Sequence, residues 1–147
     1  MVRLATPLDS LEILTLEGEV TGLSEKRARE ILESAIGSGE CLVHVDDDEI
    51  DGFVITNPRS FFGRDFVKLL VVSAAYRRSG IGRALLEAAT TTATTPTIFS
   101  STNESNAAMR ALFEREGWTL SGILTGIDEG DPELVFYRTT DSPLTAD

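Results

Sequence analysis

The chain has 147 residues, of which 41% are hydrophobic and 25% are charged, and its formal net charge is −11 at pH 7. This size and composition are typical of one globular domain, which we expect over residues 1–140. The negative charge repels nucleic acid and anionic membrane surfaces, so neither is expected as a partner. The first ten residues lack the apolar run of a signal peptide, and Cys41 is the single cysteine, so we expect a cytoplasmic protein without disulfides.

The chain is predicted to begin with a short strand and two helices. Val2–Ala5 alternates weakly between polar and apolar residues, as a strand does, and a short helix is predicted to follow and to end near Leu16. A second helix is predicted over Glu25–Ile36, because Ser24 is a favourable N-cap and apolar residues recur at helical spacing. Gly37 is expected to end this helix.

Three strands are predicted next. Cys41–Val45 and Gly52–Thr56 are expected to form a hairpin around an aspartate-rich turn, and Pro58 is expected to stop the second strand. Phe61–Gly63 is predicted as an apolar loop. Phe66–Val72 is nearly all apolar, which predicts a strand that is buried on both faces.

Helices and strands alternate in the remainder of the chain. The predicted elements are a helix at about Ile81–Thr92, a strand at Thr97–Ser101, a helix at Asn106–Glu116 with Ser105 as its cap, and two strands at Trp118–Leu124 and Leu134–Thr139. Residues 141–147 are expected to form a disordered tail. The whole order predicts a mixed α/β domain of about seven strands and four helices.

A basic segment with two glycines precedes the third predicted helix. Arg77, Arg78 and Arg83 lie within seven residues, in a chain that has only 13 lysines and arginines. A helix N-terminus carries unpaired N–H groups and a partial positive charge, and both attract anions. Gly80 and Gly82 would let a pyrophosphate approach the backbone. The segment therefore predicts a phosphate site, and a solvated basic turn is the alternative.

Two other phosphate-binding patterns are not matched. A P-loop requires GxxxxGK[ST], which the sequence lacks. A dinucleotide fingerprint requires a third glycine, where this chain has Leu85, and an acid about 20 residues later, where the first is Glu104. A nicotinamide-dependent oxidoreductase is therefore disfavoured.

Residues 70–86 resemble the signature of the GNAT superfamily of N-acetyltransferases. The core of that signature is [QR]xxGx[GA], and Arg77, Gly80 and Gly82 match it position by position. The order of the predicted elements and the chain length also suit the family. The resemblance implies the GNAT fold.

A second family segment is an Asn followed by an aromatic residue and then by a Gly-aromatic pair. Asn106, Phe113, Gly117 and Trp118 match this pattern at the family spacing. With this segment the resemblance extends over nearly the whole chain.

The resemblance implies acetyl-CoA as co-substrate, without a metal, and a small-molecule or peptide amine as acceptor. In the family the strand before the loop binds pantetheine through its main chain, and the loop amides hold the pyrophosphate. The implied CoA-binding residues are Leu70, Val71, Val72, Arg77, Arg78, Ser79, Gly80, Ile81, Gly82, Arg83, Asn106 and Phe113. The implied reaction is direct attack by the amine in a ternary complex, and the alternative is a GNAT fold that binds CoA without turnover.

Two departures from the family leave the acid and base unassigned. Many members have Tyr at the position of Phe113, where its hydroxyl can protonate the leaving thiolate, and some have Glu at the position of Ser101. Neither group is present in this chain. Glu104, Tyr137 and the acids of residues 128–133 are the candidates that remain.

An acidic loop is predicted between the last two strands. In the family this loop borders the acceptor site, so Asp128, Glu129 and Asp131 would favour a cationic amine such as a polyamine, aminoglycoside, lysine or peptide N-terminus. A solvated turn is the alternative.

The remaining candidates are aromatic or structural. Phe61 and Phe62 are predicted to form an apolar wall, a homodimer contact or part of the core. His44 is predicted to be a structural histidine within a strand. The sequence has no His/Cys/Asp grouping with the spacing of metal ligands.

Overall fold

The structure, a computed structural model, describes residues 1–18, 24–74 and 80–143. Within these ranges the chain forms seven strands and four α-helices, which confirms the predicted mixed α/β fold. In chain order the elements are β1 (Val2–Leu4), α1 (Ser10–Gly18), α2 (Glu25–Gly37), β2 (Cys41–Asp46), β3 (Glu49–Phe61), β4 (Arg64–Val72), α3 (Ile81–Thr91), β5 (Thr97–Asn103), α4 (Ala107–Arg115), β6 (Thr119–Leu124) and β7 (Glu133–Thr139). The strand order in the sheet is β1-β2-β3-β4-β5-β7-β6.

The chain divides into two compact units. The first comprises Met1–Thr56 and Leu69–Ala89, and the second comprises Asn57–Lys68 and Thr90–Asp147. The assignment of residues 1–140 to a single domain stays a prediction. Among the described helices none is long and apolar enough to cross a membrane.

The first unit is built around an antiparallel β1-β2-β3 arrangement and the helices α1 and α2. Its core contains the buried side chains of Ile13, Leu32, Phe53 and Val71. The predicted N-cap of α2 is confirmed, since the Ser24 hydroxyl accepts the N–H of the residue three positions later. Because its buried residues recur at helical spacing, α2 presents one apolar face to this core.

The second unit contains β5, β6, β7 and α4. β7 pairs antiparallel with β5 on one side and with β6 on the other. The first residues of β4 and β5 pair in parallel, from Asp65 opposite Ile98 to Val67 opposite Ser100. Under this part of the sheet α4 contributes the fully buried ring of Phe113.

The predicted end of the third strand is wrong, because β3 continues through Pro58 to Phe61. Arg59 has a φ of 55°, and its N–H is taken by the buried carboxylate of Asp65 at 3.0 Å. This bond provides an acceptor for the Arg59 N–H where the strand is irregular, so that the strand can continue beyond it. The connection to β4 is then a tight turn at Phe62 and Gly63, both with positive φ.

The prediction that the fourth strand is buried on both faces is also wrong. Val67 and Val71 of β4 are buried, but Lys68 is exposed and Leu70 and Val72 are half-buried. The apolar run therefore marks one buried face and one partly open face.

The predicted cap of the last helix is displaced by one residue. The side-chain oxygen of Asn106, not that of Ser105, accepts the Met109 N–H at 3.1 Å and caps α4. Ser105 instead bonds to a carboxylate of the β6–β7 loop.

Candidate functional site

The N-terminus of α3 lies where the sequence predicts a phosphate site. Gly80 has a φ of 85°, which glycine adopts without strain, and its carbonyl accepts the Ala84 N–H at 3.0 Å as the helix begins. The N–H groups at the start of an α-helix point along its axis, and the first turn of α3 carries no acidic side chain. Such an arrangement can hold a phosphate through the main chain.

The predicted loop residues divide into two groups. Gly80 precedes α3, and Ile81, Gly82 and Arg83 form its first turn, as the sequence suggested. Arg77, Arg78 and Ser79 lie outside the described residues.

A close approach at Gly52 seats α3 against the sheet of the first unit. A Cβ atom at Gly52 would lie 2.9 Å from Ile81 Cγ2, 3.0 Å from Leu85 Cδ1 and 3.0 Å from the Val71 carbonyl oxygen. Any side chain at this position would push α3 away from β3 and β4. Sequence reasoning missed this role, although a glycine inside a predicted strand is a signal of close packing.

His44 is half-buried and pairs with the buried Asp51, a contact that the sequence did not reveal. Its Nδ1 lies 2.7 Å from Oδ1 of Asp51, and the two side chains are 17% and 4% exposed. The main-chain oxygen of Asp51 accepts the N–H of Ser73, the residue directly after β4, at 2.8 Å.

The second half of β4 takes no part in its described pairing with β5. The three pairs with β5 involve Asp65–Val67, and Leu70, Val71 and Val72 contribute none. Val71 is buried, so a role for this segment in binding depends on its main chain.

At one end of the second unit, hydrogen bonds join the acidic loop to the segment before α4. The Asn103 side-chain amide donates to Oδ2 of Asp128 at 2.9 Å and to the main-chain oxygen of Asp131 at 3.2 Å. Ser105 donates its N–H and its hydroxyl to the two carboxylate oxygens of Asp131, at 3.0 and 2.6 Å. Asp128 and Asp131 therefore hold the loop in place, which the sequence alone could not show.

Asn106 and Glu104 lie close to the acidic loop, and both are exposed. Oδ1 of Asn106 is used as the cap of α4, so a ligand contact would come from its Nδ2. The main chain of Glu104 bonds to the Pro132 carbonyl and to the Arg110 guanidinium.

The two single-residue candidates for catalysis are not brought together. Tyr137 pairs with Phe99, and its ring lies 5.7 Å from the Phe99 ring. Glu104 follows Phe99 by five residues and lies just past the end of β5, a separation of roughly 17 Å at the rise of a strand. Glu104 and Tyr137 are therefore separated along the sheet, and the choice between them stays a prediction.

Phe113 has a packing role in the second unit. It is 0% exposed, stacks on Phe136 at a centroid distance of 4.7 Å and lies 5.1 Å from the Trp118 ring. Its proposed position beside a thioester stays a prediction.

The aromatic turn before β4 packs on β5. Phe61 lies 5.1 Å from both Phe66 and Phe99, whereas Phe62 is 91% exposed. The rings of Phe61, Phe62 and Phe99 line a cavity of about 450 Å³, to which Ile123 and Leu124 of β6 also contribute. Phe61 is half-buried at this cavity, and the choice among an apolar wall, a homodimer contact and a core role for Phe61 and Phe62 stays a prediction.

Two further titratable groups of the first unit are buried. Burial raises the pKa of the Cys41 thiol to about 12, so this thiol is protonated at neutral pH. A hydrogen bond from Arg3 holds the pKa of Asp9 at about 2. Among residues 1–18, 24–74 and 80–143, no group of three or more His, Cys, Asp or Glu residues is placed to hold a metal ion.

Comparison with known proteins agrees with this geometry. Residues 10–118 match the model of the acetyltransferase (GNAT) family. A GNAT-family acetyltransferase from Bacillus cereus is 36% identical, with a TM-score of 0.89 over 95% of this chain and 96% of that one. The ribosomal-protein-alanine N-acetyltransferase of Brucella melitensis is 22% identical, with a TM-score of 0.73 over 95% and 99% of the chains.

A third solved structure is that of the ribosomal-protein-S18-alanine N-acetyltransferase of Escherichia coli. It is 20% identical and has a TM-score of 0.75 over 100% of this chain and 97% of that one. No curated protein sequence matches the chain. The family model covers well over half of the 147 residues, and the chain therefore belongs to the GNAT family of acetyltransferases.

Proposed function

We propose that this protein is an N-acetyltransferase that uses acetyl-CoA and acetylates an amine by direct attack in a ternary complex. The observation that carries the proposal is the N-terminus of α3, where Gly80 has a φ of 85° and the first turn has no acidic side chain. These features fit the anionic pyrophosphate of a CoA thioester.

The residues for CoA binding are proposed by position. The main chain of Leu70–Val72, which takes no part in the described β4–β5 pairs, would bond to pantetheine. The segment Arg77–Arg83 would hold the pyrophosphate, and Asn106 would contribute its side-chain N–H groups. Phe113 would lie beside the thioester.

Acetyl-CoA supplies the activated acetyl group, so the protein's main task is orientation. The acceptor nitrogen forms the amide bond as the C–S bond breaks, and one proton must leave the amine while one reaches the thiolate. Glu104 is the better candidate to take the amine proton, because it is an exposed residue whose main chain bonds to the acidic loop. The ring of Tyr137 packs on Phe99, some distance away along the sheet.

We propose a cationic amine as the acceptor. Asp128, Glu129 and Asp131 lie in one exposed loop, and the hydrogen bonds of the two aspartates leave their negative charge in place. The Brucella and Escherichia coli structures are named as N-acetyltransferases of ribosomal-protein alanine. At 22% and 20% identity they support only the fold, so a peptide N-terminus is one acceptor class among several. A cytoplasmic location, in keeping with the reduced Cys41, is part of the proposal.

The experiment is a screen of CoA thiol release from acetyl-CoA with polyamines, aminoglycosides, lysine derivatives and peptides with free N-termini. We expect release above the amine-free rate with at least one class. Saturable acetyl-CoA binding without release by any class would favour the non-catalytic CoA-binding alternative. Binding of NAD in place of acetyl-CoA would contradict both.

A further inference from the structure

The hydrogen-bonded pair of His44 and Asp51 lies at an irregularity between β2 and β3. His44 is opposite Gly52 and Val45 is opposite Ile50, so Asp51 is the extra residue of a β-bulge. Bulges redirect side chains and are frequent next to functional sites. Here the side chain of Asp51 is directed to the ring of His44 on the neighbouring strand.

This pair fixes the bulge. The Asp51 carboxylate can only accept, so Nδ1–H of His44 donates to it across 2.7 Å. The Asp51 side chain is 4% exposed, and a buried carboxylate without a donor is strongly unfavourable. A charge-assisted hydrogen bond in this setting therefore holds both strands in one register.

The bulge contacts the chain on both sides of the segment that precedes α3. The main-chain oxygen of Asp51 accepts the N–H of Ser73, where the chain leaves β4. The next residue, Gly52, has no side chain and meets Ile81 and Leu85, where the chain enters α3. Two consecutive residues of β3 thus hold the exit from β4 and the first turns of α3.

We infer that His44 and Asp51 are a positioning pair, which sets the N-terminus of α3 in the place that acetyl-CoA binding requires. The inference depends on the proposed function, since it concerns the same helix N-terminus. Loss of the His44 donor would release Asp51 from β2, shift the bulge and displace the first turn of α3. The expected result is weaker acetyl-CoA binding in a protein that still folds.

The test is calorimetric titration of acetyl-CoA into the full-length protein and into three variants, His44→Ala, His44→Asn and His44→Gln. The amide nitrogen of Asn can occupy the place of Nδ1, whereas that of Gln reaches the place of Nε2. We expect His44→Ala and His44→Gln to weaken binding by about tenfold, on the order of one charge-assisted hydrogen bond. We expect His44→Asn to bind within about threefold of the unsubstituted protein.

Asp9→Asn is the matched control. Asp9 is a second buried carboxylate of the same unit, and its described side-chain bonds are to Arg3 and Thr6. This variant should lose stability but keep its acetyl-CoA affinity. Thermal unfolding of every variant shows which are folded at the titration temperature.

The outcomes separate this inference from the proposed function. If the unsubstituted protein does not bind acetyl-CoA, the proposed function is wrong. If it binds, and folded His44→Ala binds equally well, the positioning role is wrong. The role is equally wrong if His44→Asn and His44→Gln bind alike, a comparison that holds even where His44→Ala does not fold. It is also wrong if Asp9→Asn weakens binding as much as the His44 variants do.

Discussion

Asp131 accepts two hydrogen bonds from Ser105, one from its N–H at 3.0 Å and one from its hydroxyl at 2.6 Å. This single carboxylate joins the β6–β7 loop to the residue before the cap of α4. Asp131 therefore contributes both to the negative charge of the β6–β7 loop and to its fixed position. The two contributions can be separated, because Glu129 in the same loop is exposed and has no described hydrogen bond to the chain.

Asp131→Ala should lower the free energy of unfolding by about 1–2 kcal/mol, because two bonds to a carboxylate are lost. Urea denaturation at pH 7 measures this change. Glu129→Ala is the control and should change stability by less than about 0.5 kcal/mol, as surface substitutions usually do. Equal effects for the two variants would mean that the Asp131 bonds do not stabilise the loop.

Glu129→Gln should raise the KM for a cationic acceptor roughly two- to fivefold and leave kcat nearly unchanged, because it removes uniform binding energy. The effect should shrink with added salt, since exposed charges are screened beyond about 8 Å at physiological ionic strength. Initial rates with an acceptor from the amine screen measure both. An acceptor KM that changes neither with the substitution nor with salt would show that Glu129 does not attract the acceptor. This part of the loop would then be a solvated turn.

Gly82→Val should weaken acetyl-CoA binding at least about tenfold, because a branched side chain in the first turn of α3 would block a pyrophosphate at the backbone. Valine is no worse than glycine in a helix, so the fold should persist. The matched control is Gly37→Val, since a Cβ at Gly37, the last residue of α2, meets nothing within 4 Å. Calorimetry reports the affinities, and unchanged binding by folded Gly82→Val would exclude the α3 terminus from the site.

Phe113→Leu should cost about 1–2 kcal/mol of stability, because it shrinks a fully buried ring that stacks on Phe136. The activity of the folded variant should fall only modestly. Phe113→Tyr should also be destabilised, by about 1–3 kcal/mol, because it buries a hydroxyl. Thermal unfolding and kcat are measured together. A higher kcat for Phe113→Tyr would indicate that the ring edge reaches the leaving thiolate, as the family resemblance implies.

Asp9→Asn should lower stability at pH 7 by about 1 kcal/mol, a modest value because its partner Arg3 is 38% exposed. The Arg3 hydrogen bond lowers the pKa of Asp9 from 3.8 to about 2. A lowered folded-state pKa means that this stabilisation is complete above about pH 4 and is lost as the pH falls through about 2. Urea denaturation of both proteins from pH 7 to pH 2 should show the difference shrinking in that window. A constant difference would contradict the assigned pair.

Local sequence signals predicted helix starts that depend on residues close together in the chain. Ser24 caps α2 as expected, and the Gly80 region begins α3 at the predicted residue. The predicted stop at Pro58 fails because Asp65, six residues after Arg59, accepts the N–H that the irregular strand exposes. That bond depends on the hairpin being formed, which no local pattern describes.

The candidate site shows the same division. The helix N-terminus follows from glycines and arginines that are close together in sequence. The hydrogen bond between His44 and its buried partner joins residues on different elements, and so do the two hydrogen bonds from Ser105 to Asp131. These contacts form only once the strands are in register. Burial of Phe113 by Phe136 has the same origin, since the two residues are brought together by α4 packing on β7.

The most direct test of the account is calorimetric titration of acetyl-CoA into the unsubstituted protein at low ionic strength. We expect saturable binding of one acetyl-CoA per chain, with competition by free CoA, because the proposed contacts of the α3 terminus and the neighbouring main chain are to parts common to both ligands. The absence of saturable binding at millimolar acetyl-CoA, in protein shown to be folded by its thermal transition, would contradict the account.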